Sequence, residues 1–190
     1  MMIKLEIISK FIPEKLKKLI LLTPIRKIFT GNQNEPWFTR DSIKIINNLL
    51  KNEFIGFESG SGVSTIWLAE RIKYLISIEH DINWFYIISN KIKKKKLKNI
   101  DYKLITGNDD QYANYINNFP NSYFDIVIVD GKDREKCIKN SIEKIKPKGI
   151  MVLDNSDRKQ LDEAKQLLEK WKKIETSNSL WKTTIYIKKY

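Results

Sequence analysis

Apolar positions along the chain alternate between two rhythms. Short apolar runs stand at residues 54–57 (FIGF), 74–80 (YLISIEH), 101–107 (DYKLITG), 123–130 (YFDIVIVD) and 148–154 (KGIMVLD). Each has the length of a buried strand, and each is followed by helical spacing. That spacing predicts helices over 63–73, 82–96, 110–118, 134–145 and 157–171. Strands alternating with helices imply parallel βαβ units. The ending breaks the rhythm. Residues 172–176 (KKIET) and 183–189 (TTIYIKK) read as strands joined only by SNSLWK. So short a link holds no crossover helix, and these two strands must run antiparallel to each other. Functional residues are expected at the carboxyl ends of the parallel strands.

Between the first strand and the first of these helices lies FESGSGVST, residues 57–65. Gly60 and Gly62 let a ligand lie against the main chain, and strand, glycine turn and helix together form a nucleotide-type context. A phosphate loop would need Lys-Ser/Thr after the second glycine, and Val63 stands there instead. A dinucleotide turn would need a third glycine, and Thr65 stands in its place. Glu79, at the end of the second strand, suits any ribose ligand, because a carboxylate accepts from both ribose hydroxyls. Glu58 discriminates. A carboxylate just before the glycines repels a pyrophosphate and suits a ligand carrying an ammonium and a sulfonium, as S-adenosylmethionine does.

On these residues the chain resembles the class I S-adenosylmethionine-dependent methyltransferases from Trp37 to about Tyr190. FESGSGVST is similar to the family's acid-x-Gly-x-Gly turn, SIEHD to its ribose-binding strand end, and TGNDDQY to its adenine contact. FDIVIVDG and KPKGIMVLDN are similar to its fourth and fifth strands. Ser64 stands where many members carry a third glycine, and Lys148 where a Pro-Gly-Gly turn is common. The resemblance implies an α/β, Rossmann-like class I methyltransferase fold. That fold is a seven-stranded, mostly parallel sheet with an antiparallel last strand and helices on both faces. It further implies that Glu58 holds the methionine amino group. Ser59, Gly60 and Gly62 would line methionine and ribose with backbone, and Ser64 and Thr65 would also bind the cofactor. Glu79 would bind the ribose, His80 would lie near the adenine face, and Asn108 or Asp109 would reach adenine. Trp37 either covers the cofactor or packs beside Pro36. Trp84 reads as core or helix-face packing.

Methyl transfer to a hydroxyl needs alignment and removal of a proton, by a base or through a metal. Asp130, Lys132 and Asp154 are the candidate catalytic residues. Asp130, Asp154 and Asn155 resemble the ion site of metal-dependent catechol-type O-methyltransferases, which implies Mg²⁺ or Ca²⁺. The alternative places Asp130 on the cofactor, with Asp154 and Asn155 capping the next helix. The Asn/Asp-Pro-Pro-Tyr/Phe signature of N-methyltransferases is absent after the fourth strand. The expected acceptor is a hydroxyl or carboxyl on a small molecule, glycan or lipid precursor. A nucleic-acid or protein methyltransferase and a non-catalytic binding module of the same fold are the alternatives.

Composition changes this picture little. A chain of 190 residues with 42% hydrophobic content suffices for one α/β domain. The net charge of +12 invites nucleic acid. Yet the basic residues are overwhelmingly Lys, and Ile and Asn are abundant, as A-rich codons dictate, so no tight nucleic-acid binding is expected. The run KIKKKKLK (residues 91–98) suits a helix C-terminus. The expected division is 1–36, a basic amphipathic helical segment broken by Pro24, and 37–190, the methyltransferase domain. The first segment either packs on the domain and caps the substrate site or touches an anionic membrane surface. No apolar run approaches the roughly 20 residues of a spanning helix. A lone Cys137 and the lack of a cleavage signal point to the cytoplasm.

Overall fold

The computed structural model describes residues 34–190 except 108 and 179. The amphipathic segment expected before residue 37 lies outside the described residues, apart from its last three positions. Seven strands form one sheet in the order β3-β2-β1-β4-β5-β7-β6. They are β1 (Ile55–Ser59), β2 (Tyr74–Glu79), β3 (Ile100–Leu104), β4 (Phe124–Val129), β5 (Ile145–Asp154), β6 (Lys172–Ser177) and β7 (Lys182–Ile187). The pairs among β1 to β5 are parallel, and β7 runs antiparallel to both β5 and β6. This is the expected sheet.

Period-two alternation along the strands builds two cores. Ile126, Ile128, Ile150 and Val152 face one side, against Ile43 and Ile46 of α1 (Arg40–Leu49) and Trp67 and Leu68 of α2 (Val63–Ala69). Val127, Val129, Met151 and Leu153 face the other. There they meet α4 (Asp109–Asn114), α5 (Arg134–Ser141) and α6 (Asp162–Gln166), through Tyr112, Ile138 and Ala164. Burying each Ile or Leu stabilises by about 1.5–3 kcal/mol. A sheet covered on both faces needs the near-continuous apolar runs that the strands show.

The remaining helix, α3 (Ile82–Lys95), packs beside α2, β2 and β3. Asp81 caps it by accepting from the Trp84 N–H at 2.9 Å. Lys93, Lys94 and Lys95 fill its last turn, where cations suit the helix dipole.

Four helix expectations need correction. The helix expected over 63–73 ends at Ala69, and that over 110–118 is α4 followed by a 3₁₀ turn (Tyr115–Asn118). The helix expected over 134–145 ends at Ser141, and Ile145 already begins β5. The helix expected over 157–171 is a 3₁₀ turn (Lys159–Leu161) followed by the five-residue α6. Beyond it the chain tightens into i→i−3 bonds, from Leu168 N to Lys165 O and from Trp171 N to Leu168 O. Leu161, Ala164 and Leu168 still seat on the sheet, so the apolar spacing persists while the regular helix does not.

Lys148 holds a left-handed backbone, φ 65°, in the turn where the resemblance led us to expect glycine. A Cβ in that region costs about 1 kcal/mol. Lys148 is exposed, so its side chain does little to offset this. Lys148→Gly should therefore be more stable than Lys148→Ala by about 1 kcal/mol, read as a higher urea midpoint. The reverse order, usual inside a strand, would show that this turn carries no backbone strain.

Candidate functional site

The sheet order reverses between β1 and β4, whose neighbours lead the chain in opposite directions, and a crevice opens there at the carboxyl ends. It encloses about 510 Å³. Gly60, Gly62, Glu79, His80, Asp130 and Lys132 line it, as the sequence led us to expect, and so do Asp154 and Asn155.

The glycine turn is built from two different requirements. Gly60 has φ 90°, and a Cβ on it would lie 2.4 Å from the Gly131 backbone. Fold geometry alone therefore demands this glycine. Gly62 has ordinary extended φ, and the nearest neighbour of a Cβ there would be Ser64 Oγ at 3.5 Å. Nothing in the described protein needs Gly62 to be bare, and it faces the crevice.

Glu58 departs from its expected role. It is wholly buried and does not line the crevice. Its carboxylate accepts from Ser64 Oγ, Thr65 Oγ1 and Ser77 Oγ. Thr65 Oγ1 in turn accepts from the Gly62 N–H at 2.9 Å. Glu58 thus braces the turn from beneath rather than presenting oxygens to a ligand. Ser59 is also buried, its Oγ donating to Ile128 O at 3.3 Å. Burial pushes the Glu58 carboxyl up to about 7, against the three hydroxyls that favour its ionised form.

Glu79 is 3% exposed and meets the crevice. One oxygen accepts from the backbone N–H of His80 and of Asp81, at 2.7 and 2.9 Å. The other accepts from Ser61 N at 3.0 Å and Ser61 Oγ at 2.8 Å. His80 is exposed, with Nδ1 2.9 Å from Glu79 Oε1 and its ring edge-on to Tyr112. Asp109 opens α4, and Asn108 lies outside the described residues.

Three features escaped the sequence reading. Trp84 lines the crevice instead of packing in the core, and its Nε1 donates to Ser61 O at 2.7 Å. Its ring lies 6.2 Å from that of Trp37, which lines the same crevice. Arg134 joins the ends of β4 and β5. It donates to Gly131 O at 3.1 Å, to Asp130 O at 2.8 Å, to Asp130 Oδ1 at 2.7 Å and to the carbonyl of Asp154. The arginine four residues after Asp130 was the available signal, but carbonyl acceptors on another strand leave no sequence pattern. Ser61 was passed over as a loop filler.

The side chains expected to hold an ion have other partners. Among the described residues no three His, Cys, Asp or Glu side chains gather as a metal-binding group. Asp154 is 4% exposed and accepts from Thr183 Oγ1 at 2.8 Å. Asp130 is taken by Arg134, and the Asn155 oxygen accepts from Arg158 Nη2 at 3.1 Å. Guanidinium groups supply the positive charge that an ion would bring. Burial, and then the neighbouring Asp130 charge, lifts the Asp154 carboxyl well above the usual range. Asp130 is raised as well, by burial, with Arg134 and Arg158 opposing.

No family model matches the chain, and no curated protein sequence matches it. Solved structures do match. An O-methyltransferase from Bacillus cereus in complex with SAH superposes with TM-score 0.68 at 14% identity, over 94% of this chain and 93% of that one. An rRNA methylase from Streptococcus thermophilus gives 0.65 at 12%, over 79% and 95%. Precorrin-6y C5,15-methyltransferase from Geobacter metallireducens gives 0.58 at 16%, over 83% and 90%. The chain shares the fold of these structures.

Glu58 generates a pH prediction. The folded state holds the Glu58 proton up to about pH 7, whereas the unfolded chain releases it near 4.5. Its stabilising contribution is complete below 4.5 and is lost as pH rises to about 7, a change of about 3 kcal/mol. Asp130 and Asp154 act in the same direction, so the measurement is a difference between proteins. Wild type should lose stability relative to Glu58→Gln between pH 5 and about 7 in urea titrations. Parallel pH profiles would refute the elevated Glu58 value.

Proposed function

We propose that the protein is an S-adenosylmethionine-dependent methyltransferase that methylates a hydroxyl on a small molecule, glycan or lipid precursor. The observation that carries this reading is Gly62, bare without any internal need, in one crevice with the ribose-suited Glu79. A ribose hydroxyl needs a place on Glu79, whose oxygens already take four donors. Ser61 Oγ is the one that can yield. It also contacts Tyr102 OH at 2.7 Å, so it leaves Glu79 without being stranded. Trp37 and Trp84 offer apolar surface over the turn. No helix among the described residues is long and apolar enough to cross a membrane.

When bound, the cofactor supplies a sulfonium methyl group, and its S–CH₃ bond breaks as the acceptor O–CH₃ bond forms. The chain's task is to align the acceptor and take its proton. Asp130 is the base this reading assigns. It reaches the crevice, and burial raises its pKa, which strengthens it as a proton acceptor. Arg134 orients it. Lys132, on the same loop, positions the acceptor. The division into residues 1–36 and 37–190 belongs to this proposal.

Calorimetry with S-adenosylhomocysteine tests the cofactor. Glu79→Ala should bind at least tenfold more weakly, about 1.5–3 kcal/mol. Gly62→Ala should keep wild-type stability and lose similar affinity. A folded Gly62→Ala protein that binds normally removes the main support for the reading. The acceptor class is tested by radiolabelled methyl transfer to polyol, catechol, protein and RNA panels. Turnover confined to RNA or protein would defeat the hydroxyl assignment. Because the carboxylates are committed to Arg134 and Thr183, turnover should persist in chelator, and its loss would restore the ion.

A further inference from the structure

The crevice is uneven in charge and in hydrogen-bonding capacity. Glu79 and Asp81 stand on its β2 side without a Lys or Arg, whereas Lys132, Arg134 and Arg158 stand with Asp130 and Asp154 on its β4–β5 side. Arg134 is committed: its side chain is 9% exposed, and Asp130 neutralises it at 2.7 Å. Arg158 is different. It lines the crevice, and its Nη2 donates to a neutral acceptor, the Asn155 amide oxygen at 3.1 Å. Among the described residues no carboxylate lies in ion-pair contact with it, and Asp130, Asp154 and Asp157 act on it only at longer range.

Trp181 lines the same crevice, at the start of β7. It is 7% exposed, and its Nε1 has no hydrogen-bond partner among the described residues. A buried N–H left unmet costs about 1–3 kcal/mol. The loops bearing Arg158 and Trp181 are fastened together. Ser156 N donates to Lys182 O at 3.0 Å, and Lys182 N donates to Asp157 Oδ1 at 3.3 Å. The strands they flank pair at Asp154 and Thr183.

A guanidinium and an indole N–H can only donate. Their shared complement is a group that only accepts and carries negative charge. We propose that the methyl acceptor bears a carboxylate or phosphate group, held by Arg158 and the Trp181 Nε1–H at the β5–β7 end of the crevice, while another atom of the acceptor is methylated. This deepens the methyltransferase reading and rests on it. It also adds selection by charge: a neutral analogue leaves Arg158 and the indole N–H without an anionic acceptor.

The test uses indole ¹⁵N–¹H resonances of the full chain, first free and then saturated with S-adenosylhomocysteine. The sequence holds five tryptophans, and Trp181→Phe identifies the one of interest. Glucuronate and glucose 6-phosphate, the carboxylate and phosphate arms, are titrated against glucose. At least one anion should move the Trp181 indole N–H, and glucose should not. Arg158→Ala should weaken that anion at least tenfold and leave S-adenosylhomocysteine affinity within twofold, with Arg158→Lys intermediate. Equal response to glucose, or no Trp181 shift with either anion up to about 10 mM, overturns the proposal. So does an Arg158→Ala protein that loses S-adenosylhomocysteine, because Arg158 would then serve the cofactor's own carboxylate. Failure of wild type to bind S-adenosylhomocysteine at all would instead reject the methyltransferase reading, whatever the anions do.

Discussion

The close approach of two loop backbones, at Gly60 and Gly131, sets the geometry on which the rest depends. A Cβ on Gly60 would stand 2.4 Å from Gly131, and one on Gly131 would stand 2.1 Å from Tyr112 Oη. The chain therefore packs bare backbone against bare backbone where β1 and β4 end. Their pairing runs on past the strands, with Asp130 N donating to Ser59 O at 2.9 Å. This contact seals the floor of the crevice. It also fixes the distance between the turn that carries Gly62 and the loop that carries Asp130 and Lys132.

Around that contact, a group of buried and half-buried carboxylates has to be housed. Each is met by donors suited to a different task. Glu58 takes hydroxyls and braces the turn. Glu79 takes backbone N–H groups that hold its plane while one hydroxyl partner stays replaceable. Asp130 takes a guanidinium, and Asp154 a threonine hydroxyl. A buried carboxylate without such partners would neutralise or unfold its surroundings. Arg134 does more than neutralise, since it holds three carbonyls that end β4, its loop and β5. Its charge and its geometry are thus used up locally, and this is what distinguishes it from Arg158.

Most of the sheet was legible because apolar period and length are local properties. The runs around Phe57, Ile76 and Val127 announced strands, and the six-residue link at Ser177–Lys182 announced the reversal. Gly60 and Glu79 could be placed because strand, turn and helix order puts them at strand ends. What stayed hidden is long-range. Helical spacing gave Trp84 an apolar face, but its position in the first turn of α3, beside Ser61, decides that it lines the crevice. The ion site was read from residue types alone. Thr183, distant in sequence, and Arg134 decide where the Asp154 and Asp130 oxygens are spent. Leu161, Ala164 and Leu168 kept helical periodicity through a segment whose backbone is largely 3₁₀ and turn, because side-chain spacing constrains the buried face more than the hydrogen-bond pattern.

The reversed strand gives the crevice its far wall. In a parallel strand, the residue preceding it lies at the edge of the sheet away from the crevice. Because β7 runs the other way, its preceding residue, Trp181, arrives at the carboxyl ends of β4 and β5. Asn178 fixes that arrival, its Oδ1 accepting from the N–H of Leu180 at 2.8 Å and of Trp181 at 2.9 Å. The first residue of the next pair, Thr183, then donates to Asp154 and accepts from Thr39 N at 3.1 Å. Thr39 stands two residues after Trp37. A chain of hydroxyls thus ties the edge hairpin, the end of β5 and the entry to α1 into one wall. Trp37 and Trp181 are held by the same network although 144 residues separate the threonines that join them. An antiparallel last strand is in this sense a device for bringing late sequence to a site that parallel strands built.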